Sequence, residues 1–174
     1  MEENKVMTHV TKGLLVSLIL IAIGLIAHFA GFEAESWYRW GSLAVLLAAI
    51  IWGCVYYSNQ MNNQVTFGNL FAHGFKMSAV IAVIQIIWTI LAILVIFPEI
   101  KEKALDQARQ NMEEGGKLTD SQIDQAIDVT KRFFLVFAIG GVLLGTLIVG
   151  AIASLIGAGV AKKKPVNPLD QMNM

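Results

Sequence analysis

Four stretches of the 174-residue chain contain no Asp, Glu, Lys or Arg, and they constrain the fold more than any other feature. They cover residues 13–32, 40–57, 77–97 and 133–161, half the sequence taken together. A helix rises about 1.5 Å per residue and the hydrocarbon core of a bilayer is about 30 Å thick, so about 20 apolar residues suffice to cross. Each stretch is read as a transmembrane helix, and the fourth, at 29 residues, must tilt or project beyond the core. Lipid offers no partners to backbone polar groups, and unbroken apolar runs select helices over the alternating segments of a barrel.

Composition agrees with this assignment and excludes several alternatives. The chain is 56 % hydrophobic and 15 % charged, against about 45–50 % and about 25 % in soluble domains. Thirteen Lys and Arg balance thirteen Asp and Glu, so the basic surplus that nucleic acid binding needs is missing. One cysteine and three histidines support neither a disulfide scaffold nor a zinc site, and no metal or cofactor is expected. His9, His28 and His73 are read as lying at three unrelated places. The first stretch is longer than a signal-peptide core, and Glu2 and Glu3 offset Lys5 and Lys12 before it, so it is expected to be retained. Trp37, Tyr38 and Trp40 begin the second stretch and Trp52, Tyr56 and Tyr57 lie toward its other end, as aromatic belts do.

Four crossings put both termini on one side. Lys and Arg then divide six to seven between the terminal and opposite sides, while ten of the thirteen acidic residues fall on the opposite side. Lys162, Lys163 and Lys164 directly follow the last stretch. These features favour cytoplasmic termini.

The connections carry their own signals. Before the third stretch, Phe67, Leu70, Phe71, Gly74 and Phe75 recur at helical spacing behind Thr66 as N-cap. An interfacial helix over 66–76 is expected, with an extension of the third crossing as the alternative. In the 98–132 connection, Ile100, Ala104, Ala108 and Met112 share a helical face, and Gly115-Gly116 ends that helix. A second helix starts at Thr119, with Gln122 closing a capping box and Leu118 and Ile123 as hydrophobic staple. The pair reads as an extramembrane helical hairpin supported by charge pairs such as Glu99/Lys103, Asp106/Arg109 and Asp128/Arg132.

No stretch contains a carboxylate, lysine or arginine, which weighs against ion-coupled transport. Ser78, Ala82, Gln85 and Thr89 form a small and polar stripe in the third stretch; Gln85 and Thr89 are expected to serve helix packing. In the fourth, Gly141 and Gly145 make a GxxxG motif, and Thr146, Gly150, Ala153 and Gly157 a second small face. Cys54 reads as a small packing residue, and the three terminal lysines as an anchor. Nothing in the sequence pairs a nucleophile with a base, so no catalytic residue is assigned.

Thr66-Phe67-Gly68, Gly74-Phe75, Pro98-Glu99, the run Leu118-Thr119-Asp120-Ser121-Gln122-Ile123-Asp124, and Ser154-Leu155-Ile156-Gly157-Ala158 with the following lysines resemble a bacterial membrane family described as domain of unknown function 4199. The resemblance implies a four-helix inner-membrane protein of Gram-negative bacteria, without an activity, substrate or catalytic residue to carry over.

The expectation is therefore an all-α polytopic membrane protein forming a single membrane domain over 1–174, with an N-terminal tail over 1–12 and a basic tail over 162–174. It is expected to be no enzyme, to contact membrane lipid, and to dock a protein partner through Ile100, Ala104, Ala108 and Met112, with a homo-oligomer as the other expected association. A small oligomeric transporter or channel for a neutral or lipid-like solute, lined by Gln85 and Thr89, is the alternative.

Overall fold

A computed structural model describes residues 7–32 and 35–164. Most of the N-terminal tail, with Glu2, Glu3 and Lys5, and the C-terminal tail beyond Lys164 lie outside the described residues. The described residues form helices and no strands: α1 (His9–Ala30), α2 (Ser36–Gln60), α3 (Phe67–Leu91), a π turn (Ala92–Ile96), α4 (Glu99–Gly115), α5 (Asp120–Arg132) and α6 (Phe134–Val160). Four helical segments are long and apolar enough to cross a membrane: His9–Ala30, Ser36–Gln60, Phe67–Ile96 and Phe134–Val160.

Local chemistry explains where these helices begin and end. α1 starts four residues before the charge-free stretch because Thr8, in extended backbone, accepts a hydrogen bond from the Thr11 amide at 3.2 Å. That start puts Lys12 inside the first helix rather than in a tail. At its other end Gly31 adopts φ +76°, its N–H donates to His28 and that of Phe32 to Ala27, the paired bonds of a Schellman ending. Residues 67–76 are continuous with the third membrane-length segment, and Thr66 Oγ1 accepts from Asn69 N at 3.2 Å to cap it. Before Pro98 the helix widens by one residue, with Phe97 N–H donating to Ala92 O at 2.7 Å.

The chain divides into two compact units. The first comprises the described residues up to Ile84 and from Gly145 onward. Its apolar core is Val16, Ile50, Met77, Ile81 and Ala153, with a second cluster of Val65, Leu70, Ala158 and Ala161. Small residues let its helices meet closely. A Cβ on Gly74 would sit 2.6 Å from both Cys54 Sγ and Ser154 Oγ, and one on Gly13 would sit 2.8 Å from Val80.

The second unit runs from Gln85 to Leu144. Within it α4 ends at Gly116, in the left-handed region at φ +58°, and α5 starts on the capping box formed by Thr119 and Gln122. α4 and α5 are in contact. Each buries one apolar side chain, Leu105 and Ile123, and Arg109 pairs with Asp124 on α5 as well as with Glu113 on its own helix.

Candidate functional site

The feature of the first unit that most needs a physical account is Lys12, whose side chain has no exposed surface. A lysine ammonium has three N–H donors. Nζ of Lys12 meets three acceptors: Gly53 O at 3.4 Å, Gln60 Oε1 at 3.4 Å and His73 Nε2 at 3.3 Å. When Nε2 accepts, the neutral imidazole of His73 holds its proton on Nδ1. The ring centres of Tyr56 and Tyr57 lie 4.8 and 5.6 Å from the same nitrogen, adding the attraction of aromatic faces for a cation. The lysine is thus solvated by the protein, without a carboxylate among these partners.

Three helix ends assemble this arrangement. The first turn of α1 supplies His9 and Lys12, the last turn of α2 supplies Tyr56, Tyr57 and Gln60, and the start of α3 supplies Asn69, His73 and Lys76. Tyr57 stacks on His73 with ring centres 4.0 Å apart and planes 9° apart, and His9 meets His73 edge-on at 5.9 Å. The histidines read from the sequence as unrelated are therefore brought together in one case, His9 with His73. In front of these rings lies a pocket of about 340 Å³ lined by Met7, Thr8, His9, Tyr57, Asn69, Ala72, His73 and Lys76.

Further positive charge collects at this end. Ser58 Oγ donates to Lys162 O at 2.5 Å and Lys164 N–H donates to Asn63 O at 2.8 Å, which ties the chain leaving α6 to the turn between α2 and α3. Lys163 Nζ lies 5.5 Å from the centre of the Phe67 ring. Among the described residues of this unit the one carboxylate is Glu35, the N-cap of α2, at the opposite end of a 25-residue helix from Gln60. Unbalanced charge of one sign, facing a cleft with low-dielectric walls, concentrates ions of the other sign.

The residues singled out from the sequence lie elsewhere. Gly150 and Gly157 sit at close approaches in the first unit: a Cβ on Gly150 would collide with Ser78, and one on Gly157 would come 2.8 Å from Cys54 Cβ. At Gly141 and Gly145 a Cβ would meet nothing within 4 Å, so the chain makes no close approach at that GxxxG motif. Gln85 and Thr89 are half-buried and do not line the pocket. On α4, Ala104 is exposed, Ile100, Ala108 and Met112 are partly buried, and Leu105 is buried.

Sequence reasoning missed Lys12, Gln60 and His73. A signal was present, since four expected crossings would put the start of the first, the end of the second and the start of the third on one side of a membrane. Polar residues with helical spacing at all three places, His9 with Lys12, Tyr56 with Gln60, and Asn69 with His73 and Lys76, were available to be combined.

Fold and site together define a chain whose described residues are helical, with four membrane-length helices and, at the ends of three of them, a pocket that carries Lys76, His9 and His73. The chain belongs to the family described as protein of unknown function (DUF4199), whose model matches residues 11–163. No curated protein and no solved structure matches it.

Proposed function

We propose that this is a non-enzymatic, multi-pass membrane protein that binds an anionic group at the basic end of its first unit. The observation that carries the reading is the enclosed Lys12, held by neutral acceptors behind a pocket that also presents His9, His73 and Lys76. A bound anion supplies the counter-charge that these partners lack. In this reading the basic end faces the cytoplasm of a bacterial inner membrane, in keeping with the positive-inside rule. Binding without turnover is favoured because the Lys12 amine, which meets the His73 imidazole, has no exposed surface, and Thr8 Oγ1 is engaged by the Thr11 amide and hydroxyl.

The test is thermal unfolding of the full chain in neutral detergent, with pyrophosphate compared against chloride at equal ionic strength. Pyrophosphate is expected to raise the unfolding temperature of the wild type and to leave a His9→Asn, Lys76→Gln double variant unmoved. Equal effects of the two salts, or an equal rise in the variant, would refute the reading.

A second reading concerns the other unit. Here α4 and α5 stand outside the membrane as a helical hairpin that docks a protein partner, supported by the exposure of Ala104 and Val129 beside the buried Leu105 and Ile123. A partner retained from the native membrane by the wild type and lost on Ala104→Glu with Ala108→Glu supports docking. Recovery of the protein without a stoichiometric partner counts against it.

A further inference from the structure

We infer that the group bound in the basic pocket is the phosphate-bearing headgroup of an anionic membrane lipid. The inference rests on the anion-binding reading above and adds the source of the anion. The pocket is lined by the first turn of α1, the last turn of α2 and the first turns of α3, the ends of three helices of membrane-crossing length. Such ends lie at headgroup depth when the helices span. Tyr57 lines the pocket and Tyr56 lies behind it near Lys12, the kind of residue that sits at the boundary between chains and headgroups.

The surface next to the pocket suits acyl chains. On α3 the stripe that carries Asn69, Ala72 and Lys76 continues at helical spacing through Ala79 to Val83, which is 57 % exposed. α1 presents exposed Val10 and Leu14 within the two turns that begin at the pocket's His9. The two helices touch at Gly13, where a Cβ would stand 2.8 Å from Val80 and 3.1 Å from Met77 O. Those contact residues do not line the pocket, and apolar helix surface continues beside it. A diacyl lipid satisfies both parts together, its phosphate near His9, Asn69 and Lys76 and its chains on Val10, Leu14 and Val83. A soluble phosphate compound uses the polar part alone. The volume of about 340 Å³ suits a headgroup and excludes a large polyanion from full enclosure.

The experiment reconstitutes the full chain into phosphatidylcholine vesicles holding a minor share of phosphatidylglycerol, with a spin-labelled trace of each lipid in turn. The wild type is expected to enrich labelled phosphatidylglycerol over labelled phosphatidylcholine. His9→Asn with Lys76→Gln is expected to lower that enrichment about fivefold, the weight of one lysine near a charged surface. These pocket-edge positions are chosen because changes at Lys12 endanger folding, and Lys117→Gln in the second unit is the control that keeps full enrichment. Pyrophosphate stabilisation in detergent runs in parallel. Enrichment that survives the double variant overturns the inference, because the lipid then binds elsewhere. No enrichment, together with stabilisation by pyrophosphate that the double variant loses, overturns the lipid source and leaves the anion-binding reading standing. Neither effect overturns both.

Discussion

The first unit encloses one of its charges, Lys12, and the second encloses none. Lys12 is held by groups on α2 and α3, and glycines of the same unit allow helix contacts that a single added methyl group would break. Arg109 and Asp124 of the second unit keep 43 % and 61 % of their side-chain surface, and the elements that carry them are defined by local devices, the left-handed Gly116 and the Thr119 cap. A polar group in the first unit is a joint between distant segments, whereas in the second it decorates a helix that its neighbours in sequence already specify. Equivalent substitutions should therefore have unequal consequences in the two units.

The largest effect is expected at the buried lysine. Lys12→Ala removes a wholly enclosed side chain and leaves the acceptors on Gln60 and His73 without their donor, a loss on the order of 3 kcal/mol. Lys12→Met keeps most of the volume and should lose less. Denaturant unfolding in detergent ranks the two, and an Ala variant as stable as the wild type would remove the lysine from its place as a joint.

Gly74 comes next. Gly74→Ala forces a Cβ against Cys54 and Ser154, an overpacking expected to destabilise by about 1–3 kcal/mol. The matched substitution Gly141→Ala, where nothing stands within 4 Å, should be neutral or stabilise by up to about 1 kcal/mol through helix propensity. If both glycines tolerate alanine equally, the close helix contacts of the first unit are not what holds it.

A smaller and local effect is expected in the second unit. Thr119 accepts from the Gln122 amide while Gln122 Oε1 accepts from the Thr119 amide at 2.9 Å, so Thr119→Ala should cost about 1 kcal/mol. Faster amide exchange confined to α5 is the expected readout, and a loss spread over the membrane-length helices would show that the two units unfold as one.

The same contrast explains what was readable from the sequence. The capping box, the stop at Gly116 and the four crossings depend on residues a few positions apart or on an uninterrupted absence of charge, and both are visible along one dimension. The acceptors of Lys12 lie 41, 48 and 61 residues away from it. No local pattern announces them, and a lysine just before an apolar run looks like a flanking anchor. α1 begins at His9 because of the cap on Thr8, and that shift of one turn carries Lys12 from the expected tail into the helix. The glycine faces show the same limit. Spacing identifies Gly141, Gly145, Gly150 and Gly157 alike as small, but only the tertiary arrangement places Ser78 and Cys54 opposite the last two.

The smallest effect is expected at Arg109. Its hydrogen bond to Asp124 holds the guanidinium above its usual range, with the charges of Asp124, Glu113 and Asp106 acting in the same direction. The ring of acidic neighbours is nonetheless fully in reach of water and salt, where ion pairs are screened and their side chains lose freedom by pairing. Arg109→Gln should leave the unfolding transition in place, and added salt should not separate variant from wild type. A loss equal to that of Thr119→Ala would mean that the contact between α4 and α5 depends on this pair rather than on Leu105 and Ile123. The second unit would then resemble the first, with a charged group as the joint between its helices.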